Sequence, residues 1–384
     1  MPGMAQTFDV CIRGSGIVGR TLALLLARDR LRVALVGPGD APSSAEPHED
    51  VRAYALNAVS RGLLQSLRAW PDVRHATPVA RMEIQGDQDG SVHFDAAAQH
   101  VDALAWIVDV PALEARLAEA VRYQPQVELV SSPVPASLTA VCEGRASRTR
   151  DEFGVEFATT PYGQQAIAAR LHCTLPHGQT ARQWFQADGG ILAFLPLGGE
   201  QGNSVAIVWS VPQEQAPQLL ALEPEVFALR VQEASQGALG ALELASRRAA
   251  WPLQQARANH WCGSQHAGST SGTHSWVLAG DAAHNVHPLA GQGLNLGLAD
   301  VQALARTLME RDWRSIADLR LLRRYERERK AALLPMGLAM DGLQQLFARR
   351  EAPLQALRNW GLKGFERSGL LKEWTARQAM GTTH

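Results

Sequence analysis

A short apolar run that leads into three spaced glycines constrains the fold of this chain more than any other feature. The run Phe8–Arg13 precedes Gly14-Ser15-Gly16-Ile17-Val18-Gly19, a helical apolar pattern follows, and a second apolar run covers Leu31–Val36. That order predicts strand, turn, helix and strand. The N-terminus is therefore predicted to be a βαβ unit with the glycines at its first turn.

The glycine spacing suits a bound dinucleotide. Gly14 permits a tight turn, Gly16 lets the backbone approach a pyrophosphate, and Gly19 lets the helix pack closely on the strand. The N-terminus of the helix that follows the glycines adds free N–H groups and partial positive charge. A glycine turn that binds nothing is the alternative, and the position between a strand and a helix favours binding.

Two residues near this turn depart from the dinucleotide pattern. The second strand normally ends at a carboxylate that holds a ribose, whereas here it runs into Gly37 and the first carboxylate is Asp40. Arg13 stands directly before Gly14, where a small or apolar residue is expected. We expect weaker binding of the ribose and, from Arg13, an added positive charge beside the phosphates.

A second glycine-rich segment lies far along the chain. The apolar residues Trp276–Ala279 lead into Gly280-Asp281, where a carboxylate is well placed to accept from a sugar or ribityl hydroxyl. A loop with Pro288 then delivers Gly291-Gln292-Gly293 into a helix that starts near Leu294. That helix N-terminus would direct N–H groups at an anionic centre. For Asp281 alone, a helix cap is the alternative.

The middle and the end of the chain have other patterns. Residues 82–94 alternate around Gly86 and Asp89-Gly90, which indicates a hairpin, and strands dominate Tyr162–Val211. Helices are predicted over 319–329, 333–350 and 354–375. The fold class is therefore α/β: a Rossmann-like nucleotide-binding domain with an inserted antiparallel β-sheet domain and C-terminal helices.

Composition excludes several classes of protein. The chain has 37 Lys and Arg against 38 Asp and Glu, a net charge of -1 that offers no field for nucleic acid. Its four cysteines form no C-x-x-C pair, so we predict neither a metal site nor a disulfide framework. With no run of 18 apolar residues and no signal peptide, we expect a cytoplasmic chain that can bind membranes peripherally.

The two glycine segments together resemble the flavin-dependent aromatic hydroxylases. More narrowly, Arg52-Ala53-Tyr54-Ala55-Leu56-Asn57 and the segment His287–Gly297 look like the ring hydroxylases of ubiquinone biosynthesis. The resemblance covers nearly the whole chain. It implies an FAD-binding domain of residues 1–75, 102–160 and 256–312, a β-sheet substrate domain of residues 76–101 and 161–255, and a C-terminal helical region of residues 313–384.

The resemblance also implies the residues of the site. Asp281 would hold the ribityl chain and Arg52 would lie near the flavin or its phosphates. Pro288, through its carbonyl, and His287 are the candidate catalytic residues, although a structural role is favoured for His287 and His284. The implied cofactor-binding residues are Gly14, Gly16, Ile17, Val18, Gly19, Arg52, Gly280, Asp281, Pro288, Gly291, Gln292, Gly293, Leu294 and Asn295. Glu143 and Val110-Pro111 depart from the family pattern on the adenosine side.

The implied activity is hydroxylation of the ring of a polyprenylated phenol in ubiquinone biosynthesis by an FAD-dependent monooxygenase, through a flavin C4a-hydroperoxide. NAD(P)H or a redox protein would supply electrons. The expected partners are a membrane surface, contacted through Arg323, Arg324, Arg327 and Arg329, and other ubiquinone-biosynthesis proteins. One alternative is a non-catalytic or weakly FAD-binding subunit of a biosynthetic complex. Another, an NAD-dependent dehydrogenase, leaves Gly280–Gly297 unexplained.

Overall fold

The computed structural model describes residues 8–37, 50–87, 90–200, 202–265, 274–285 and 293–348, the last fourteen of these as backbone only. Within these ranges the strands are β1 (Phe8–Arg13), β2 (Val33–Val36), β3 (Ala53–Leu56), β4 (Ala76–Val79), β5 (Arg81–Gln85), β6 (Ser91–Asp95), β7 (Ala105–Asp109), β8 (Val127–Val130), β9 (Ala136–Val141), β10 (Phe157–Cys173), β11 (Thr180–Phe185), β12 (Ile191–Leu197), β13 (Ser204–Pro212), β14 (Leu242–Leu244), β15 (Ala249–Ala258), β16 (Cys262–Gln265), β17 (His274–Leu278) and β18 (His284–Asn285). The helices are α1 (Ile17–Arg28), α2 (Ala58–Ser66), α3 (Val110–Arg122), α4 (Arg148–Glu152), α5 (Ala216–Ala221), α6 (Pro224–Ala234), α7 (Gly293–Met309) and α8 (Leu319–Ala348).

A six-stranded sheet forms the first layer and has the order β16-β17-β9-β1-β2-β8. Strand β1 runs parallel to β2 and to β9, and β17 runs parallel to β9. Because parallel neighbours need a crossover, α1 returns the chain from β1 to β2 and buries Leu22 and Leu26 in the core. This confirms the predicted βαβ unit.

A nine-stranded sheet has the order β18-β15-β10-β13-β12-β11-β5-β6, with β14 beside β10. Its pairs are antiparallel except for the parallel contact of β5 with β11. The hairpin predicted over residues 82–94 forms from β5 and β6, where the Gly86 amide donates to the Gly90 carbonyl. The predicted insertion of an antiparallel sheet is therefore confirmed.

A small third sheet, β3-β7-β4, packs against β12 of the nine-stranded sheet. Arg170 of β10 reaches Asp109 at the end of β7, with 2.5 Å between the nitrogen and the oxygen. Asn57 caps α2 by accepting from the Ser60 amide. The entry to α2 is thereby held next to the end of β3.

The C-terminal region differs from its prediction. One continuous helix, α8, replaces the two helices predicted over 319–329 and 333–350, because the residues Lys330-Ala331-Ala332 that link them are good helix formers. It is packed rather than solvated on all sides, since Tyr325 is fully buried and its hydroxyl donates to the Leu278 carbonyl. The helix predicted over 354–375 lies outside the described residues.

No helix in the described ranges is long and apolar enough to cross a membrane. The division of the chain into domains at residues 75, 101, 160, 255 and 312 stays a prediction.

Candidate functional site

The glycine turn between β1 and α1 has a steric reason for two of its three glycines. Gly14 has φ +110°, and a Cβ there would lie 2.4 Å from the Cys142 carbonyl oxygen. A Cβ on Gly19 would lie 1.8 Å from the Gly14 oxygen. Gly16, by contrast, has no atom within 4 Å of its Cβ position. The turn is therefore tight where it packs and open at Gly16.

The N-terminus of α1 opens at the same place. Gly16 is the N-cap residue, it offers no side-chain cap, and the first turn holds no acidic residue. The amides of Ile17 and Val18 consequently keep the partial positive charge of an uncapped helix end. This arrangement suits a pyrophosphate.

Three segments that lie far apart in the sequence meet at Val18. A Cβ on Gly280 would lie 3.3 Å from Val18 Cγ1, and one on Gly297 would lie 3.0 Å from Val18 Cγ2. Gly280 has φ +64°, and its Cα lies 3.5 Å from the Cβ position of Gly297. The start of α1, the turn after β17 and the N-terminal part of α7 therefore pack against one another at Val18.

Asp281 lies on the turn after β17 with its side chain accessible to solvent. Burial among surrounding protein atoms nevertheless raises the pKa of its carboxyl, against the attraction of His284, Arg145 and Arg52. The 3₁₀ turn Gly280–Ala282 has Ala279 at its N-cap, so the alternative of a cap role for Asp281 gains no support.

Arg52 lies just before β3, and its positive charge attracts the Asp281 carboxylate. It donates to Asp50 from both Nε and a terminal nitrogen, the closest contact being 2.5 Å, and this hydrogen bond raises the pKa of Arg52. Part of its charge is therefore balanced within the protein before any ligand is considered. Tyr54, on β3, also interacts with Arg52 and with Asp281.

Asn295 joins two of the predicted motifs through its side chain. Its Oδ1 accepts from the Asn57 amide at 3.0 Å and from the Ser60 hydroxyl at 2.7 Å, and its Nδ2 donates to the Ala55 carbonyl at 2.8 Å. The first turn of α7 is thereby held to the end of β3. Its side chain is committed to these bonds, which leaves the backbone at Gly293, Leu294 and Asn295 for a ligand.

A buried ion cluster beneath the turn was missed by sequence reasoning. Asp300 of α7 is fully buried and accepts from the Gly280 amide at 2.9 Å, from His284 Nε2 at 2.7 Å and from Arg329 Nε at 2.7 Å. Burial alone would raise the pKa of Asp300, but His284 and Arg329 hold it below its ordinary value. One feature of the sequence could have indicated this cluster: Asp300 is a single carboxylate among the apolar residues of α7.

His284 has the structural role that the sequence favoured. Its ring is buried, hydrogen-bonded to Asp300 and stacked on Trp261 with 4.9 Å between ring centroids. His287, Pro288, Gly291 and Gln292 lie outside the described residues, so the catalytic assignment of the first two stays a prediction.

The charged residues around the glycine turn satisfy one another. Arg13, which is predicted from the sequence to add a charge beside the phosphates, donates to Glu152 and to the Thr149 hydroxyl, both at 2.6 Å. Glu143, which departs from the family pattern, accepts from Ser147 at 2.8 Å and from the Thr149 hydroxyl at 2.6 Å. These bonds, with the charge of Arg13, lower its pKa in spite of partial burial.

Gly37 follows β2 directly, and its amide donates to the Val130 carbonyl. A Cβ on Gly37 would lie 3.1 Å from the Ser15 hydroxyl. The place of the usual carboxylate therefore borders the glycine turn, with Ser15 partly occupying it.

An open cavity of about 320 Å³ lies between the segment that precedes β3 and the start of β15. Its described lining consists of Asp50, Val51 and Arg52 before β3, and Arg247, Ala249 and Trp251 at β15. A volume at the lower end of the range for small-molecule pockets can admit an aromatic ring.

The residues present fit FAD. Gly16 and the uncapped start of α1 offer an approach for the pyrophosphate, the Asp281 carboxylate can accept from ribityl hydroxyls, and the start of α7 lies beside both. A simple nicotinamide-binding fold would have no need of the Gly280–Gly297 surface.

Comparison with known proteins gives the family. Residues 114–334 match the family described as FAD binding domain. The 3-demethoxyubiquinol 3-hydroxylase of Escherichia coli (strain K12) is 30% identical, over 98% of this chain and 99% of that protein. Ubiquinone hydroxylase UbiL of Rhodospirillum rubrum is 29% identical (97% and 90%), and the mitochondrial ubiquinone biosynthesis monooxygenase COQ6 of Drosophila melanogaster is 28% identical (98% and 90%).

Solved structures agree on the fold. Pseudomonas aeruginosa PqsL in complex with 2-aminobenzoylacetate has a TM-score of 0.73 at 22% identity, covering 94% of this chain and 100% of that one. The p-nitrophenol 4-monooxygenase PnpA of Pseudomonas putida DLL-E4 has a TM-score of 0.72 at 15% identity, with coverage of 98% and 99%. Together with the glycine turn, the Asp281 turn and the full-length relatives, these matches establish that the chain belongs to the FAD-dependent monooxygenase family that contains the ubiquinone hydroxylases.

Proposed function

We propose that this chain hydroxylates the ring of a polyprenylated phenol in ubiquinone biosynthesis, with FAD as its cofactor. The observation that carries the proposal is the meeting of Val18, Gly280 and Gly297, which brings an uncapped helix start and the Asp281 carboxylate to one surface. The names of the full-length relatives support the substrate class, since they include hydroxylases of ubiquinone and of 3-demethoxyubiquinol.

Each part of this surface has a task in the proposal. The amides of Ile17 and Val18 bind the pyrophosphate, Asp281 accepts from the ribityl chain, and the backbone from Gly293 to Asn295 stabilises negative charge on the isoalloxazine. Bound FAD would supply the reducing equivalents and the activation of oxygen. NAD(P)H or a redox protein is the proposed electron donor.

The protein's own contribution to the reaction is to hold the phenol ring beside the flavin and to exclude water from it. We assign the ring to the cavity between Arg52 and Trp251, because Trp251 offers an aromatic face and the opening leaves a path for the prenyl tail. Trp251→Ala is then expected to raise KM with a smaller change in kcat, and an unchanged KM contradicts this placement.

Contact with a membrane is part of the proposal, because a polyprenyl tail is insoluble in water. The basic surface available for it is smaller than the sequence indicates: Arg324 pairs with Glu310, and Arg329 is buried against Asp300. Arg323 and Arg327 stay exposed without an ion pair among the described residues. Liposome flotation tests this, and equal recovery with neutral and anionic lipid argues against an electrostatic contact.

The deciding experiment combines cofactor binding with a pathway readout. Apoprotein is titrated with FAD, and a deletion strain is profiled for quinone intermediates. We expect saturable FAD binding, and an accumulated precursor that lacks one ring hydroxyl and disappears when the parent chain, but not Asp281→Ala, is restored. The non-catalytic alternative is not favoured by the relatives, and it would be reinstated by full complementation with a variant that binds no FAD.

A further inference from the structure

The cluster around Asp300 joins elements that the sequence separates widely. Asp300 belongs to α7, Gly280 to the turn after β17, His284 to β18 and Arg329 to α8. Arg329 also lies 3.5 Å from the Leu296 carbonyl in the first turn of α7. One guanidinium of the C-terminal helix therefore contacts the carboxylate that holds the Gly280 turn, and the helix start beside that turn.

The buried Asp300 carboxylate depends on all of its hydrogen-bond donors, which are the Gly280 amide, His284 and Arg329. A fully buried carboxylate is strongly unfavourable unless it is paired and its lone pairs are satisfied. Asp300 meets this condition with three donors, and Arg329, which is 8% exposed, loses its own partner if Asp300 is removed. Because carboxylates accept and do not donate when ionised, His284 Nε2 carries the proton of its hydrogen bond to Asp300.

The cluster acts on the cofactor surface through Gly280. The Gly280 amide is fixed by Asp300, Gly280 packs on Val18, and Asp281 is the next residue. The Ala282 carbonyl on the other side of Asp281 accepts from Arg150 at 3.4 Å. The backbone on both sides of Asp281 is therefore held by buried side chains, while the Asp281 carboxylate is exposed and accepts a long hydrogen bond of 3.5 Å from Asn285 Nδ2.

We propose that Arg329 is a positioning residue for the FAD site: through Asp300 and the first turn of α7 it holds the Asp281 carboxylate and the α7 backbone where the ribityl chain and the isoalloxazine bind. This inference rests on the proposed function. It assigns to the C-terminal helix a part in cofactor binding, although none of its described side chains has been placed in contact with the cofactor.

The test uses full-length apoprotein titrated with FAD, with flavin absorbance and fluorescence recorded at saturation. Arg329→Met is expected to raise the Kd for FAD at least tenfold and to shift the flavin absorbance bands. Arg329→Lys is expected to recover part of the affinity. A lysine keeps the positive charge beside Asp300, but a single ammonium group cannot also donate to the Leu296 carbonyl. Arg324 lies on the same helix as Arg329 and pairs with Glu310 at the surface. Arg324→Met is therefore the matched control and is expected to leave the Kd for FAD within twofold.

A double variant separates positioning from folding. Asp300→Asn with Arg329→Met leaves neither charge buried alone, so we expect it to fold, as checked by circular dichroism, and still to bind FAD at least tenfold more weakly with a shifted spectrum. Parent-like Kd and spectrum in the folded double variant overturn the inference while the proposed function stands. Absence of FAD binding by the parent overturns the proposed function and this inference together.

Discussion

The two turns that face the proposed cofactor are built on different physical principles. The turn at Gly14–Gly19 is fixed by steric contact: backbone atoms of Gly14 and Cys142 occupy the space that side chains would need. The turn at Gly280–His284 is fixed by charge, since a buried carboxylate on α7 holds its backbone and its histidine. Charges near the first turn, by contrast, lie at the surface and pair with one another. We conclude that the two ends of one ligand site can fail in different ways.

The largest effect that tests this difference between the two turns is expected at Asp300, on the free energy of unfolding. Asp300→Ala leaves Arg329 buried without its partner, so we expect a loss of about 3–5 kcal/mol in the free energy of unfolding at neutral pH. Urea unfolding of the apoprotein measures it. Glu310→Ala removes a surface partner of Arg324 and is the control, with an expected loss below about 1 kcal/mol. Equal losses in the two variants would show that the second turn does not depend on its buried charge.

Acid should reveal the same cluster. Asp300 has a lowered pKa in the folded protein, so its contribution to stability is fully present above its unfolded pKa of about 3.9 and is lost as the pH falls through the folded value. Unfolding free energies of the parent should therefore drop between pH 5 and strong acid by more than those of Asp300→Asn. Parallel pH profiles contradict the assignment of an ionised Asp300.

The turn at Gly14–Gly19 should be destabilised by an added side chain, whereas the loss of a charge should have little effect on it. Gly19→Ala places a methyl 1.8 Å from the Gly14 oxygen, so we expect a loss of about 1–3 kcal/mol in stability. Gly16→Ala is the matched change at an open position, and we expect a smaller loss, below about 1 kcal/mol, together with weaker FAD binding. Thermal unfolding of both apoproteins and FAD titration separate the cases. If Gly16→Ala is the less stable of the two, the steric account is wrong.

The contrast also explains what could be predicted from the sequence. Steric demands recur at fixed spacing, so the tight turn at Gly14 and Gly19 could be predicted from local pattern, as could the βαβ unit and the inserted sheet. The ion cluster has no local signature, because Gly280, Asp300 and Arg329 come together only when α7 and α8 pack. For the same reason the pairing of Arg13 with Glu152, which lies 139 residues away, could not be predicted.

A smaller effect, confined to binding, is expected at Asp281. Because burial raises the pKa of its carboxyl, the ionised group is disfavoured by the fold, and Asp281→Ala should leave the apoprotein no less stable. We expect the affinity for FAD to fall by about 1.5–3 kcal/mol, the value of a charged hydrogen bond. Equilibrium dialysis with FAD is the measurement, and Asp281→Asn, which keeps an acceptor without the charge, should lose less. Equal occupancy in Asp281→Ala and parent removes Asp281 from the site.

A still smaller change in the affinity for FAD is expected at Gly37, where the substitution should tighten binding. Gly37→Glu restores a carboxylate after β2, where it could accept from a ribose hydroxyl, but its Cβ would lie 3.1 Å from the Ser15 hydroxyl. We expect tighter FAD binding by about 1 kcal/mol once Ser15 rotates. Gly37→Gln, the same size without the charge, is the control in a titration of both apoproteins. Weaker binding by Gly37→Glu than by Gly37→Gln would show that the position does not face the ribose.

The smallest effect is expected at Arg13, and it tests whether surface charge matters at the first turn. Because its guanidinium is paired with Glu152, which is 57% exposed, and with Thr149, little of its charge is left for the phosphates. Arg13→Ala should therefore change the Kd for FAD less than threefold and lower the unfolding free energy by no more than about 1 kcal/mol. Glu152→Gln frees the charge while keeping the arginine, and should tighten FAD binding if the phosphates are within reach. A tenfold loss in Arg13→Ala, with no gain in Glu152→Gln, would mean that Arg13 leaves its partner when the cofactor binds. The first turn would then depend on charge as the second one does.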